Sequence, residues 1–108
     1  MAERERITLS VVLLVDGETW VAQCLEYDLV AQAKTPRKAL ESFGWVVGAQ
    51  ILLDKQRRRK PFSTLERAPE RFWESFKDGI PLRDPFPLTL PVLSFDLPDI
   101  EKEVRLAS

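Results

Sequence analysis

Trp20 to Leu40, WVAQCLEYDLVAQAKTPRKAL, constrains the fold more than any other stretch of the chain. Two short alternating runs flank an acidic turn, Glu26, Tyr27 and Asp28, and the second run passes straight into a helix start with no linker. Thr35 is a good N-cap, and Pro36 at the first helical position gives up an N–H that had no intrahelical partner. A helix delivered this way is expected to lie on the sheet it leaves.

Upstream, Ile7 to Val15 alternates, with Ile7, Leu9, Val11, Leu13 and Val15 on one side and Thr8, Ser10, Val12 and Leu14 on the other. One side is wholly apolar and the other becomes so, which predicts a central strand. Asp16-Gly17 signals a turn, because Gly17 accepts positive φ, so Ile7–Val15 and Trp20–Leu25 are expected to form an antiparallel hairpin. Leu29 to Lys34 supplies the third strand of a meander.

The helix is expected from Pro36 to about Gln56, with Ala39, Leu40, Phe43, Val46, Val47, Ile51 and Leu53 in one stripe toward the sheet and Gln50 among them. Its other side carries a second stripe, Trp45, Ala49 and Leu52, flanked by Gly44 and Gly48. Glycine inside a helix costs about 1 kcal/mol against alanine, so the pair points to close packing of another backbone. Three sources are open: the C-terminal half of the same chain, a second copy, or a helix of a foreign partner.

Lys55, Arg57, Arg58, Arg59 and Lys60 then crowd the helix end. They read as a solvated terminus that complements the helix dipole, as a phosphate-binding run, or as a dock for an acidic partner. Pro69 to Asp78 predicts a short helix grouping Phe72, Trp73 and Phe76, stopped by Gly79 and suited to covering Trp45 and Leu52. Beyond it Pro81, Pro85, Pro87, Pro91 and Pro98 forbid a long helix; Pro91–Leu97 could pair as an edge strand, and Asp99–Ser108 reads as a frayed helical tail. The expected fold is therefore α+β: a three-stranded antiparallel meander packed on one main helix (βββα), followed by a short aromatic helix and a Pro-rich extended tail.

At 108 residues the chain fits one domain, with residues 1–60 as its core and 61–108 as an extension packed on it. The net charge of −1 gives no global attraction to nucleic acid or membrane. Cys24 is the single cysteine and there is no histidine, which excludes an intrachain disulfide, Ser-His and Cys-His nucleophile pairs and imidazole-bearing zinc sites. The charged N-terminus lacks a signal-peptide apolar region, so a cytoplasmic protein without a membrane partner is expected.

The order strand, strand, acidic turn, strand, helix, read with Ala22, Cys24, Glu26, Gln32, Thr35, Ala39 and Leu40, resembles the HicB-like antitoxin domain. Cys24-Leu25-Glu26 stands where that family has a Cys-Pro-Glu-like turn, and Thr35-Pro36-Arg37-Lys38-Ala39-Leu40 matches its helix start. The resemblance covers roughly residues 7–53. It implies a partial ribonuclease-H-like fold, βββα with a further strand, that generally lacks catalytic machinery and binds a small RNA-cleaving toxin. The helix-turn-helix or ribbon-helix-helix segment that such proteins use to repress their operon has no counterpart here.

No enzyme activity, cofactor or metal is expected. Two-metal nuclease chemistry needs carboxylates gathered on adjacent strands, whereas Asp16, Glu18, Glu26 and Asp28 fall at strand ends and turns. Cys24 reads as a small core residue. The expected function is protein binding through Glu26, Tyr27, Asp28, Trp45 and Leu52, with a homo-oligomer and a small basic toxin as partners. RNA binding through Lys55, Arg57, Arg58, Arg59 and Lys60 is one alternative, and a structural subunit of a larger assembly is another.

Overall fold

The computed structural model describes residues 6–83 and 99–107. Within them a mixed sheet of five strands, in the order β3-β2-β1-β5-β4, lies between two helices. The broad α+β class holds, and β1 (Arg6–Asp16) is the central strand.

β1 and β2 (Thr19–Cys24) form the antiparallel hairpin, and Gly17 takes the positive φ of 65° that its tight turn requires. β3 (Val30–Ala33) pairs antiparallel with β2. Ile7, Leu9, Val11 and Leu13 are buried on one face, together with Ala22, Cys24 and Ala31 from the neighbouring strands. Helix α1 (Pro36–Gln56) covers that face with Ala39, Leu40, Phe43, Val47 and Ile51. Its start is set by Thr35, whose hydroxyl accepts from the Lys38 N–H at 3.1 Å. Val46 is only half-buried and Leu53 is exposed, so the buried stripe is narrower than the sequence suggested.

The C-terminal half departs from expectation in two ways. Asp99–Leu106 is not a frayed helix but a strand, β5, which runs parallel to β1 over its whole length. Ile100, Val104 and Leu106 face the core, while Glu101, Glu103 and Arg105 alternate with them, a period of two that a helix would scatter. Residues beyond 60 therefore form part of the sheet and its core. β4 (Ile80–Leu82) pairs antiparallel with β5 at the far margin. The proposed edge strand at 91–97 and most of the Pro-rich tail lie outside the described residues.

The second departure concerns α2 (Glu70–Lys77), which packs on the opposite face of the sheet from α1 and so does not cover Trp45 and Leu52. Arg71 and Phe72 border an open groove of about 350 Å³ floored by Leu14, Val21, Gln23, Val30 and Gln32, all on that second face. Arg105 lies 4.3 Å over the Phe76 ring and donates to the Phe76 carbonyl, tying the end of α2 to β5. Gly79 closes the helix where the backbone passes so near β5 that a Cβ there would sit 2.9 Å from the Leu106 carbonyl oxygen.

Because β5 flanks the central strand, truncation after Asp78 is expected to abolish cooperative unfolding, not merely to remove an arm. Urea denaturation followed by circular dichroism checks this: a sigmoidal transition in the truncated chain would contradict it.

Candidate functional site

The acidic turn and the end of α1, far apart in sequence, meet at one end of the sheet. After Cys24 the β1–β2 ladder breaks in a defined way. The Leu25 N–H still donates to the Ser10 carbonyl at 2.9 Å, but the Leu25 carbonyl turns away to accept from the Ala68 N–H at 2.9 Å. The Ser10 N–H, left without its strand partner, donates to Glu26 Oε1 at 2.7 Å, and the Ser10 hydroxyl donates to Glu26 Oε2 at 2.7 Å. The carboxylate thus replaces a missing rung of the sheet with two charge-assisted hydrogen bonds.

Asp28 continues the same stitching. Its N–H donates to the Glu66 carbonyl at 2.7 Å, and its carboxylate accepts from Gln23 Nε2 at 2.8 Å. That contact, with a second one to the Cys24 carbonyl, satisfies the amide of the buried Gln23. Tyr27 packs on Phe62 with ring centroids 4.8 Å apart. Glu26 and Tyr27 are half-buried and engaged internally, so of the expected partner-binding turn only Asp28 is exposed.

The second carboxylate at this end, Asp54, is fully buried. Its Oδ1 accepts from Arg59 Nη2 at 2.9 Å and from Gln50 Nε2 at 3.2 Å, and its Oδ2 accepts from the Phe62 N–H at 2.8 Å. A buried carboxylate is tolerated only when charge and lone pairs are met in this way. The knot fixes the chain as it leaves α1, where Arg58 and Phe62 both adopt positive φ. Arg59 is therefore a structural ion-pair partner and is withdrawn from the expected phosphate-binding run, while Arg57, Arg58 and Lys60 remain exposed.

Trp45 is 48% exposed on the outer row of α1 with Ala49 and Leu53, and Leu52 is half-buried. Gly44 and Gly48 are both buried, on the side of α1 next to the core stripe. The four carboxylates considered for metal chemistry are not brought together. Asp16 and Glu18 precede β2, whereas Glu26 and Asp28 follow it, about 20 Å away along the strand. Among the described residues no group of three or more candidate ligands could hold a metal ion, and no helix is long and apolar enough to cross a membrane.

Sequence reasoning missed Ser10, Asp54, Phe62 and the 66–68 segment as parts of this site. Asp54 could have been found: it follows Val47 and Ile51 at the seven- and three-residue spacing of the buried stripe, where a carboxylate requires partners. Ser10 gave a weaker signal, as a lone hydroxyl in an apolar strand. Nothing local in the sequence marks the backbone pairing of residues 66–68 with the turn.

Asp54→Ala is expected to lower unfolding free energy by about 3 kcal/mol, since it strips a buried network of its charge centre; the shift of the urea midpoint measures this. Burial pushes the Cys24 thiol up to about 12 from an ordinary 9.0, with the nearby Glu26 charge adding to the rise. The unfolded chain thus loses this proton first as pH rises, so the thiol's contribution to stability is intact below pH 9.0 and is lost toward pH 12. Cys24→Ala is expected to flatten that alkaline loss of stability relative to the wild type, and Cys24 is expected to react with a thiol reagent only in denaturant. Comparison of the chain with protein-family models, curated proteins and solved structures yields no match.

Proposed function

We propose that this chain is a non-enzymatic protein-binding module of the HicB-like kind, whose partner is a small basic RNA-cleaving toxin. The observation that carries this reading is Trp45, a large aromatic side chain held outward on α1 in a row with Ala49 and Leu53. Exposed tryptophans in apolar surroundings are the residues on which protein interfaces most often depend.

Two further features support it. The residues that carry the resemblance serve the backbone: Glu26 bonds Ser10, Thr35 caps α1, and Ala22, Cys24, Ala39 and Leu40 are buried. The chain runs βββα and then, after α2 and β4, places β5 beside β1, which supports the reading of a βββα unit with a further strand. Glu26, Thr35 and Cys24, the polar or nucleophilic members of that set with a structural contact, serve architecture, which supports a binding role.

A second reading, RNA association, is favoured by the exposure of Arg57, Arg58 and Lys60 past the end of α1. Affinity capture of the tagged chain from its native cells, with and without RNase, separates the two. The toxin reading expects a small basic protein that survives RNase treatment and is lost from the Trp45→Ala variant, a hot-spot truncation costing at least about 2 kcal/mol. The RNA reading expects RNase-sensitive material only, with a salt dependence of binding that falls by about one unit of log–log slope for each phosphate contact removed by Arg57→Glu or Arg58→Glu.

A further inference from the structure

β3 and β4 are the two margins of the sheet, and they are protected differently. β4 carries Pro81 at its centre, which has no N–H to offer another strand. β3 reads Val-Ala-Gln-Ala, without the prolines or charges that ordinarily keep a margin from pairing. The alternation of the ladder decides which of its backbone groups are free. The Cys24 N–H donates to the Leu29 carbonyl, and the register sets Ala31 against Ala22 and Ala33 against Trp20. The Leu29 carbonyl and the N–H and C=O groups of Ala31 and Ala33 thus turn toward β2, while those of Val30 and Gln32 point outward and meet no partner among the described residues. The next outward donor, the Asp28 N–H, is already taken by Glu66, so the open margin begins at Val30.

The ends of this margin carry opposite charge. Asp28 and Glu66 are exposed at one end and Lys34 at the other. An antiparallel copy of the same margin, related by a two-fold axis, brings the acidic end of each chain onto the basic end of the other. A neutral or parallel strand gains nothing from that polarity.

We propose that the chain self-associates through β3, in an antiparallel pairing centred on Gln32 that joins the sheets of two copies into one. With Gln32 opposite the same residue of the second copy, Val30 of each chain faces Lys34 of the other. The Val30 side chain, 42% exposed in the single chain, is then covered by the aliphatic stem of the lysine. The lysine ammonium lies diagonally across from Asp28 of the other copy, within reach of a long side chain. Two slips of the register are excluded. A slip of one residue would set side chains from opposite faces of the two sheets against each other. A slip of two residues toward Asp28 would drive the second copy's backbone into the segment around Glu66.

Sedimentation equilibrium and native mass spectrometry of the full chain test this. The wild type is expected to be a reversible dimer. Lys34→Glu sets like charges together at both ends and is expected to weaken it about tenfold. A chain carrying Asp28→Lys and Glu66→Lys is expected to dimerise as poorly by itself. Mixing it with the Lys34→Glu chain restores dimers, now mixed, because each acidic end again meets a basic one. Gln32→Pro, which removes an outward donor at the axis, is expected to give a monomer with an unchanged circular dichroism spectrum. A wild type that stays monomeric at every concentration overturns the proposal. So does a dimer indifferent to Lys34→Glu, or a mixture no tighter than its components.

Discussion

The parallel ladder between β1 and β5 sets the shape of everything else. Parallel neighbours cannot be joined by a hairpin, and here the chain leaves the sheet at β3 and returns at β4, on the opposite margin. Two helices make that journey, α1 over one face and α2 over the other. With a central strand apolar on both sides, each helix has a face to bury, which is why Val12 is as thoroughly removed from water as Leu9 and Val11, and Val21 beside it is buried too.

The passage between the helices explains the use made of the carboxylates. Between Gln56 and Glu70 the chain has to round the end of the sheet, and a turning backbone carries polar groups that regular structure cannot satisfy. Asp54 takes the Phe62 N–H, the Leu25 carbonyl takes the Ala68 N–H, and the Asp28 N–H finds the Glu66 carbonyl. Glu26 fills the rung that Leu25 vacates by turning outward. Acidic residues that resemble a binding turn in isolation are thus hydrogen-bonding parts of a crossing, and Arg59 is drawn in to balance the buried charge. What remains on the surface of the described residues is different in kind: a row on α1 headed by Trp45, cations beyond its end, and a strand margin with open backbone groups.

The first three strands and both helices were legible because their signals are local. Alternation from Ile7 to Val15, the Asp16-Gly17 turn and the Thr35-Pro36 cap each act within a few residues and do not depend on what packs against them. β5 reads as a helical tail in isolation because charged residues interrupt Ile100, Val104 and Leu106, whose spacing becomes decisive only beside β1. The side of the sheet that α2 occupies was beyond sequence reasoning, since Phe72, Trp73 and Phe76 would serve either face equally well.

By itself the sequence determined the identity and order of the early elements, the one-domain scale and the absence of histidine chemistry and of an intrachain disulfide, all properties of composition and short-range stereochemistry. Tertiary structure alone decided the parallel partner of β1, the placing of the helices on opposite faces and the roles of Glu26, Asp54 and Arg59. Those outcomes depend on pairs of groups from 5 to about 100 residues apart in the chain, as with Arg59 and Asp54 or Leu9 and Lys102. A pattern in sequence records what each residue can do, whereas which polar group is left without a rung or a charge without water is fixed only when the layers close.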